Sequence, residues 1–287
     1  MTPMTTLTSK DYRSDLKSVW CPGCGDFGVL SALTKAFADL GLAREDTVVV
    51  SGIGCSSRLP GYVETYGFNS IHGRALPIAT GIKLANPSLE VVVVGGDGDA
   101  FAIGAGHLPH AMRRNVDMAY IVMDNGIYGL TKGQASPTSP EGLKAKSTPF
   151  GGLEAPLEPL KLALAMGATW VGQAFSGDPK ALTELIVQAI RHKGFALLNV
   201  FSPCVVFRGR DQYDLVREHG APVPAGYDRH DRLRAFQLLE RREVEMPLGV
   251  IYEEERPTLE DGLRHIREEA SRAGVPRVED LIDRYLP

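Results

Sequence analysis

The chain repeats one local pattern, in which a short apolar run ends in a turn rich in glycine and polar residues. The four valines Val91–Val94 run into the acidic glycine turn 95–99, and similar transitions follow Thr47–Ser51, Met118–Met123 and Phe195–Phe201. Continuous runs of this kind are typical of strands buried on both faces of a parallel sheet. Helical spacing of apolar residues predicts helices between them, at Asp26–Leu40 and Ala100–Arg114. We therefore expect an α/β protein whose parallel sheet is flanked by helices and binds ligands at the carboxyl ends of its strands.

All four cysteines occur in turns beside apolar runs. Cys21 and Cys24 form a C-x-x-C pair, whereas Cys55 and Cys204 stand alone. Disulfide frameworks are typical of small secreted proteins, structural zinc of two closely spaced ligand pairs, and a thioredoxin-like centre would use only the first two thiols. An iron-sulfur cluster with four thiolate ligands accounts for all four, so we favour it while these alternatives stay open.

Two acidic residues, Asp97 and Asp99, stand in the glycine turn after the valine run. Carboxylates repel a phosphate unless a cation lies between them, and Mg²⁺ is usually held by one or two carboxylates together with phosphate oxygens. Asn125 follows the next predicted strand and offers a neutral oxygen. Asp97 and Asn125 therefore predict a metal-diphosphate site, although helix capping and an ordinary turn explain each residue taken singly.

Composition excludes several classes of function. Charged residues make up 23% of the 287 residues and the formal net charge is -4, so there is no basic excess for binding nucleic acid. No apolar run reaches the length of a membrane span, and the first fifteen residues lack the apolar segment of a secretion signal. Together with the pattern of cysteine use, these features predict a cytoplasmic protein without membrane contact.

The character of the chain changes near residue 207. Residues 1–207 carry the strand-and-turn pattern and are expected to form the cofactor-binding domain. Within them, the proline-rich segment 133–160 predicts a long irregular loop, of the kind that often serves as a lid or a partner contact. Residues 208–287 are strongly charged, and we expect surface helices at Arg229–Glu245 and Glu253–Arg272 in an extension that is either a subunit-contact arm or a solvated tail.

Several short motifs together resemble a known family. The Gly96-Asp97-Gly98 turn followed by Asn125 resembles the thiamine diphosphate motif, a GDG sequence with a later asparagine. With the further motifs, the chain resembles the beta subunit of a 2-oxoacid:ferredoxin oxidoreductase from about Ser9 to about Arg210. Those motifs are Trp20–Cys24, Gly54–Ser57, His72–Arg74, Gly129–Gln134 and the late Cys204.

This resemblance implies three cofactors and the residues that bind them. One 4Fe-4S cluster would be ligated by Cys21, Cys24, Cys55 and Cys204. Magnesium would be ligated by Asp97, Asn125 and the backbone carbonyl of Ile127. Thiamine diphosphate would be lined by Ile53, Gly54, Cys55, Ser56, His72, Gly98, Asp99, Gly129 and Leu130.

The resemblance also implies a reaction and partners. In that family a separate alpha subunit binds the aminopyrimidine half of the cofactor, and this chain shows no second strand-helix array for that purpose. The implied reaction is the oxidative decarboxylation of a 2-oxoacid with coenzyme A, with electrons passed through the cluster to ferredoxin. The reverse reductive carboxylation would use the same site.

Three residues are candidates for direct action on the substrate. Arg58, which stands where related sequences often have lysine, would pair with a substrate carboxylate. His72 would donate to the diphosphate or orient the substrate, and Leu130 would shape the pocket. Surface, structural and core roles are the alternatives for Arg58, His72 and Leu130 respectively.

The segment Lys132–Thr138 looks most like that of 2-oxoglutarate-type or broad-specificity members of the family. The first expected substrate is therefore 2-oxoglutarate, and pyruvate or a broad range of 2-oxoacids is the second. Competing functions are a thiamine-dependent lyase or synthase without a cluster, and a zinc-bound scaffold subunit without enzymatic activity.

Overall fold

The computed structural model describes residues 7–240, 245–274 and 277–286. In this part of the chain eight strands form one sheet in the order β2-β1-β3-β4-β6-β5-β8-β7. The strands are β1 (Thr47–Ser51), β2 (Tyr66–Asn69), β3 (Glu90–Gly96), β4 (Met118–Asp124), β5 (Trp170–Phe175), β6 (Phe195–Phe201), β7 (Gly220–Pro222) and β8 (Met246–Glu253). The α-helices are α1 (Asp26–Leu40), α2 (Ala75–Ala85), α3 (Leu108–Arg114), α4 (Pro159–Ala165), α5 (Pro179–Arg191), α6 (Asp211–His219), α7 (Arg232–Glu240), α8 (Leu259–Ala273) and α9 (Val278–Asp283).

Helices cover both faces of the sheet, as the apolar runs predict. Along β3, Val92 and Val94 pack on the face covered by α1 and α5, whereas Val91 and Val93 pack on the face covered by α2, α3, α4 and α7. All four valines are fully buried. A strand with apolar side chains on both faces is stable inside such a sheet, because helices then cover both faces. If one face were exposed to water, the stabilisation from burying its apolar side chains would be lost.

The sheet is mostly parallel, which confirms the predicted architecture with one correction. Strands β1 to β6 pair in parallel, but β8 runs antiparallel to β5 with a register shift between Val171 and Gly172. The expectation of surface helices in the charged C-terminal segment was therefore incomplete. Ile251 and Tyr252 of β8 are buried in the core, so this segment extends the main sheet. The division at residue 207 stays a prediction.

The predicted helix boundaries are confirmed for α1 and wrong for the helix expected after the acidic glycine turn. Helix α1 has the predicted bounds. The predicted helix Ala100–Arg114 is instead a π-helical turn at Asp99–Ile103, a 3₁₀ turn at Ala105–His107 and then α3. At Gly104 a Cβ would lie 2.3 Å from the Asp99 carbonyl oxygen, so the backbone path between the two turns has no room for a side chain there.

The C-terminal helices are also shorter than predicted. Helix α7 covers Arg232–Glu240, and residues 241–244 of the predicted helix lie outside the described residues. The predicted helix Glu253–Arg272 begins only at Leu259, because Thr258 forms a capping box with Asp261 and a proline precedes it. Among the described residues, the structure contains no helix long and apolar enough to cross a membrane.

The neighbouring parallel strands bring four distant segments to one edge of the sheet. The register pairs Ser51 with Val94, Gly96 with Met123, and Asp124 with Phe201, so β1, β3, β4 and β6 end side by side. The turns that follow these ends carry Cys55, Asp97, Asn125 and Cys204.

Candidate active site

Two adjoining cavities open at the carboxyl ends of the strands. The first, of about 160 Å³, is lined by all nine residues predicted to bind thiamine diphosphate, together with Asp97, Asn125 and Ile127. The second, of about 340 Å³, is lined by all four cysteines. The two cavities share Cys55, Asn125, Gly129 and Leu130. A larger cavity of about 590 Å³ lies within the segment 135–155, but its only titratable lining group is Glu154, so it offers little chemistry.

Asp97 is the centre of the first cavity. Its side chain is buried, and burial together with the neighbouring Asp124 carboxylate raises the pKa of Asp97 to about 7. The Asn125 amide oxygen belongs to the turn after the neighbouring strand β4, where it accepts from the Ile127 backbone N–H at 3.0 Å. A buried carboxylate, an amide oxygen and a backbone carbonyl are the hard oxygen donors that Mg²⁺ prefers, and a cation there would offset the repulsion between Asp97 and Asp124. The donor set therefore fits the predicted metal.

Asp99 organises the walls of the first cavity. Its Oδ1 accepts three hydrogen bonds, from the backbone N–H groups of Ile53 and Gly73 at 2.9 and 2.7 Å and from His72 Nδ1 at 2.7 Å. Because the carboxylate occupies Nδ1, Nε2 is the His72 nitrogen available to a ligand. A Cβ on Gly52 would lie 2.0 Å from Asp99 Oδ2, so glycine is required there. Asp99 thus acts mainly on protein groups that line the cavity.

Two further features fit an oxygen-rich ligand in the first cavity. The Ser56 hydroxyl is buried and has no hydrogen-bond partner among the described residues, so an incoming phosphate oxygen would satisfy it. Gly98 faces the ring of Tyr128, where a Cβ would lie 2.1 Å from a ring carbon. Tyr128 also lines the cavity, and its hydroxyl donates to the Gly98 carbonyl at 3.3 Å. Tyr128 was not predicted from the sequence. The sequence signal that could have indicated it was Gly98, whose missing side chain leaves room for an aromatic ring.

The four cysteines surround the second cavity. Cys21 is exposed and the other three are half-buried. A Cβ on Gly129 would lie 3.6 Å from Cys204 Sγ and 3.7 Å from Cys55 Sγ, so these two thiols flank the same glycine. Trp20 Nε1 donates to the Cys55 carbonyl at 2.7 Å and holds the Cys55 turn beside the C-x-x-C pair.

The electrostatics of the cysteine cavity favour neutral thiols in the protein alone. Burial, then the nearby Asp26 carboxylate, raises the pKa of Cys24 and raises that of Cys55 to about 11. Burial also raises the pKa of Cys204. Thiolate ligands here need a positively charged metal centre beside them, as an iron-sulfur cluster supplies. Asp26, which sequence reasoning also missed, is buried and accepts from the Ser202 hydroxyl at 2.6 Å.

The candidate substrate residues lie at the open side of these cavities. Arg58 is exposed and lines the cysteine cavity together with Lys132, which adopts a positive φ of 77°. Leu130 lines both cavities and is half exposed. His72 lines only the first cavity. The structure therefore brings Arg58, Leu130 and Lys132 together and separates His72 from Arg58.

Comparison with known families defines the class of this site. The family model "Thiamine pyrophosphate enzyme, C-terminal TPP binding domain" matches residues 52–200, which include every residue that lines the first cavity. A second model, for the C-terminal part of the pyruvate ferredoxin oxidoreductase beta subunit, matches residues 204–268. The fold and the first cavity are therefore those of a thiamine pyrophosphate enzyme.

Individual relatives narrow the class. A "2-oxoacid:ferredoxin oxidoreductase 1, subunit beta" of Aeropyrum pernix is 51% identical over 252 residues, which cover 84% of this chain and 79% of the relative. The "2-oxoglutarate oxidoreductase subunit KorB" of Mycobacterium tuberculosis is 51% identical over 74% of this chain, but the match spans only 57% of that relative. The chain belongs to the family of 2-oxoacid:ferredoxin oxidoreductase beta subunits.

A solved structure supports the same assignment over the full length. A chain of the 2-oxoglutarate:ferredoxin oxidoreductase from Magnetococcus marinus, with 2-oxoglutarate, coenzyme A and succinyl-CoA bound, superposes with a TM-score of 0.95. The two chains are 45% identical, and the match covers 100% of this chain and 98% of the other.

Proposed function

We propose that this chain is the beta subunit of an enzyme that oxidatively decarboxylates 2-oxoglutarate to its coenzyme A thioester and delivers the electrons to ferredoxin. The observation that carries the proposal is the junction of the two cavities. Cys55, Gly129 and Leu130 line both the oxygen-rich cavity and the four-cysteine cavity. A thiamine enzyme without a cluster, or a scaffold subunit without a cofactor, has no need of this junction.

The first cavity would hold thiamine diphosphate through magnesium. When bound, this cofactor supplies a carbanion for attack on the keto carbon of the substrate and accepts the electron pair left when carbon dioxide departs. Asp97, Asn125 and the Ile127 carbonyl would ligate the cation, while the unpartnered Ser56 hydroxyl and Nε2 of His72 would bind ligand oxygens. Gly98 leaves room for the Tyr128 ring, which lines the same cavity.

The second cavity would hold one 4Fe-4S cluster. A tetrahedral zinc ion needs its ligands to converge within bonding distance of one point. Within the described ranges, no group of three or more His, Cys, Asp and Glu side chains is placed to hold a single metal ion. Four thiols spaced around a cavity suit a larger cluster better, and such a cluster supplies one-electron oxidation at low potential.

The cationic side chains favour a substrate with two carboxylates. Arg58 and Lys132 line the cysteine cavity near Leu130, and a guanidinium can bind a carboxylate through two parallel hydrogen bonds. A 2-oxoacid with a second carboxylate, such as 2-oxoglutarate, would gain from this contact and pyruvate would not. Pyruvate and other 2-oxoacids remain secondary substrates.

The partners follow from this role as a beta subunit. A separate alpha subunit would bind the aminopyrimidine half of the cofactor, ferredoxin would accept the electrons, and coenzyme A would accept the acyl group. The same complex would run the reductive carboxylation when reduced ferredoxin is abundant. We place the protein in the cytoplasm, where its four thiols stay reduced until a cluster is inserted.

The test is to purify the chain anaerobically with its partner subunit and to measure iron, sulfide, zinc and the visible spectrum. Ferredoxin reduction is then followed with coenzyme A and either 2-oxoglutarate or pyruvate. We expect about four irons per beta chain and faster reduction with 2-oxoglutarate. A colourless zinc protein that does not reduce ferredoxin would contradict the proposal.

Two variants serve as controls for each other. Cys204→Ser should lose iron and ferredoxin reduction but still bind thiamine diphosphate. Asp97→Ala should lose thiamine diphosphate but keep its iron. Ferredoxin reduction at a near wild-type rate in Cys204→Ser would refute the four-cysteine ligand set.

A further inference from the structure

The two oxygens of the Asp97 carboxylate have different surroundings. Oδ2 accepts hydrogen bonds from the hydroxyls of Ser136 and, at 2.8 Å, Thr138. Among the residues that the structure describes, Oδ1 has only a long contact of 3.5 Å with the Asn125 backbone N–H. Oδ2 is therefore committed to protein donors, and Oδ1 is the oxygen with capacity to bind a cation.

Both hydroxyls come from the long loop, about forty residues further along the chain. They belong to one turn, residues 136–139, that is fastened to the loop after β4. The Ser136 backbone N–H donates to Ser139 Oγ at 2.8 Å, and that hydroxyl donates to the Gly126 carbonyl at 2.7 Å. Ser136 and Ser139 are both buried. The position of the turn is thus set by the same loop that carries Asn125 and Ile127.

Thr138 also connects Asp97 to a second buried acid. Its hydroxyl lies 2.8 Å from Asp97 Oδ2 and 2.7 Å from Asp124 Oδ1. The hydroxyl carries one proton and so donates to one of these two carboxylates at a time. Asp124 also accepts from the Gly126 backbone N–H and the Asn199 side chain, each at 3.2 Å. The long loop therefore holds Asp97 directly through Ser136 and Thr138. Thr138 also links Asp97 to Asp124 at the end of β4, and Asp124 is bound by Asn199 of β6.

We propose that Ser136 and Thr138 are positioning residues, which hold Oδ2 of Asp97 so that Oδ1 is presented to magnesium. The inference rests on the proposed function, because it takes Asp97 as a magnesium ligand. A carboxylate that is free to rotate must lose that freedom when the metal binds, whereas one fixed beforehand does not. The two hydroxyls would therefore raise the affinity for magnesium and diphosphate, although they contact neither the metal nor the diphosphate.

The test measures binding, not turnover, on the complex of the chain with its partner subunit after removal of metal and cofactor. Magnesium is titrated at a fixed concentration of thiamine diphosphate, and bound cofactor is counted by equilibrium dialysis. The variants are Ser136→Ala and Thr138→Val, with Thr138→Ser as the conservative replacement. Thr148→Val is the matched control, because its hydroxyl bonds to the Leu143 carbonyl of the same loop and does not contact Asp97.

We expect Ser136→Ala and Thr138→Val each to raise the magnesium concentration for half-saturation by about tenfold or more, as is usual when a residue that orients a metal ligand is removed. Thr138→Ser and Thr148→Val should match the wild type. Wild-type magnesium requirements in both Ser136→Ala and Thr138→Val would overturn the inference, as would a Thr138→Ser variant as weak as Thr138→Val. If Thr138→Val does not fold, the comparison of Ser136→Ala with Thr148→Val decides. A wild-type complex that binds no thiamine diphosphate at any magnesium concentration would instead refute the proposed function.

Discussion

Replacing Asp99 with asparagine should weaken the folded state and the cofactor cavity together. Asp99 is buried, and its Oδ1 accepts hydrogen bonds from Ile53, His72 and Gly73. These groups come from the turn after β1 and from the segment before α2, so a single carboxylate joins two walls of the cavity to the turn after β3. The Asp99→Asn variant keeps the shape of the side chain and removes its charge.

The expected magnitude follows from the three hydrogen bonds and the second oxygen. A hydrogen bond to a charged group contributes about 1.5–3 kcal/mol, roughly twice a neutral one, so three weakened bonds cost roughly 3 kcal/mol. An amide NH₂ in place of Oδ2, which has no partner among the described residues, would add an unsatisfied buried donor. The smaller desolvation of a neutral side chain offsets part of this loss, which leaves a net destabilisation of roughly 2–4 kcal/mol.

The assay is urea unfolding followed by circular dichroism, with the free energy of unfolding compared between wild type and variant. Asp46→Asn is the matched control, because Asp46 is exposed and its carboxylate makes no hydrogen bond in the described ranges. The control should stay within about 0.5 kcal/mol of the wild type. A loss below about 1 kcal/mol for Asp99→Asn would show that the three contacts do not join these walls, and the reasoning would be refuted.

Three further predictions use other parts of the chain. Gly98→Ala places a Cβ against the Tyr128 ring, so it should destabilise the protein by about 1–3 kcal/mol and weaken thiamine diphosphate binding. An unchanged melting temperature and an unchanged affinity would contradict the close contact between Gly98 and Tyr128. Burial lowers the pKa of His192, whose Nε2 lies 2.8 Å from Thr169 Oγ1. Since the unfolded chain then binds a proton that the folded chain does not, the free energy of unfolding should fall as the pH drops below about 6.5. His192→Gln should reduce the pH dependence of the free energy of unfolding. Equal pH profiles for the variant and the wild type would show that His192 does not cause this dependence. Arg58→Gln should raise KM for 2-oxoglutarate about 10- to 100-fold and leave KM for pyruvate unchanged, and an equal effect on both substrates would exclude a contact with the second carboxylate.

The central architecture could be predicted because its signals are local. A run of four valines, a helix closed by Gly41 and the glycine turns after strands each indicate one element by a short pattern. Strands that follow one another along the chain usually lie side by side in a parallel sheet, as β3 and β4 do here. This is also why Asp97 and Asn125 could be assigned to neighbouring strand ends from the sequence alone.

The remaining parts depended on contacts between distant segments. Strand β8 lies between charged segments and contains Gly249, so only its pairing with β5 identifies it as part of the sheet. Edge strand β2 has 4 residues, is exposed along its whole length and contains Gly67, so its sequence gives only a weak strand signal. The hydrogen bonds of Asp99 could not be predicted, because the backbone N–H groups that donate to it lie 26 and 46 residues away along the chain.

The surface around the first cavity is consistent with an active site completed by another chain. Ile53 and Leu130, which line the cavity, are about half exposed, and so is Ile103, whose side chain lies against Gly73. Ile71 is 70% exposed and adjoins His72 in sequence. Contiguous exposed apolar patches commonly mark a protein interface or a binding site. The buried donors that would hold metal and diphosphate lie deep in this chain, whereas its apolar residues at the mouth are left open. That division matches a subunit that supplies the diphosphate half of the site and leaves the other half to a partner.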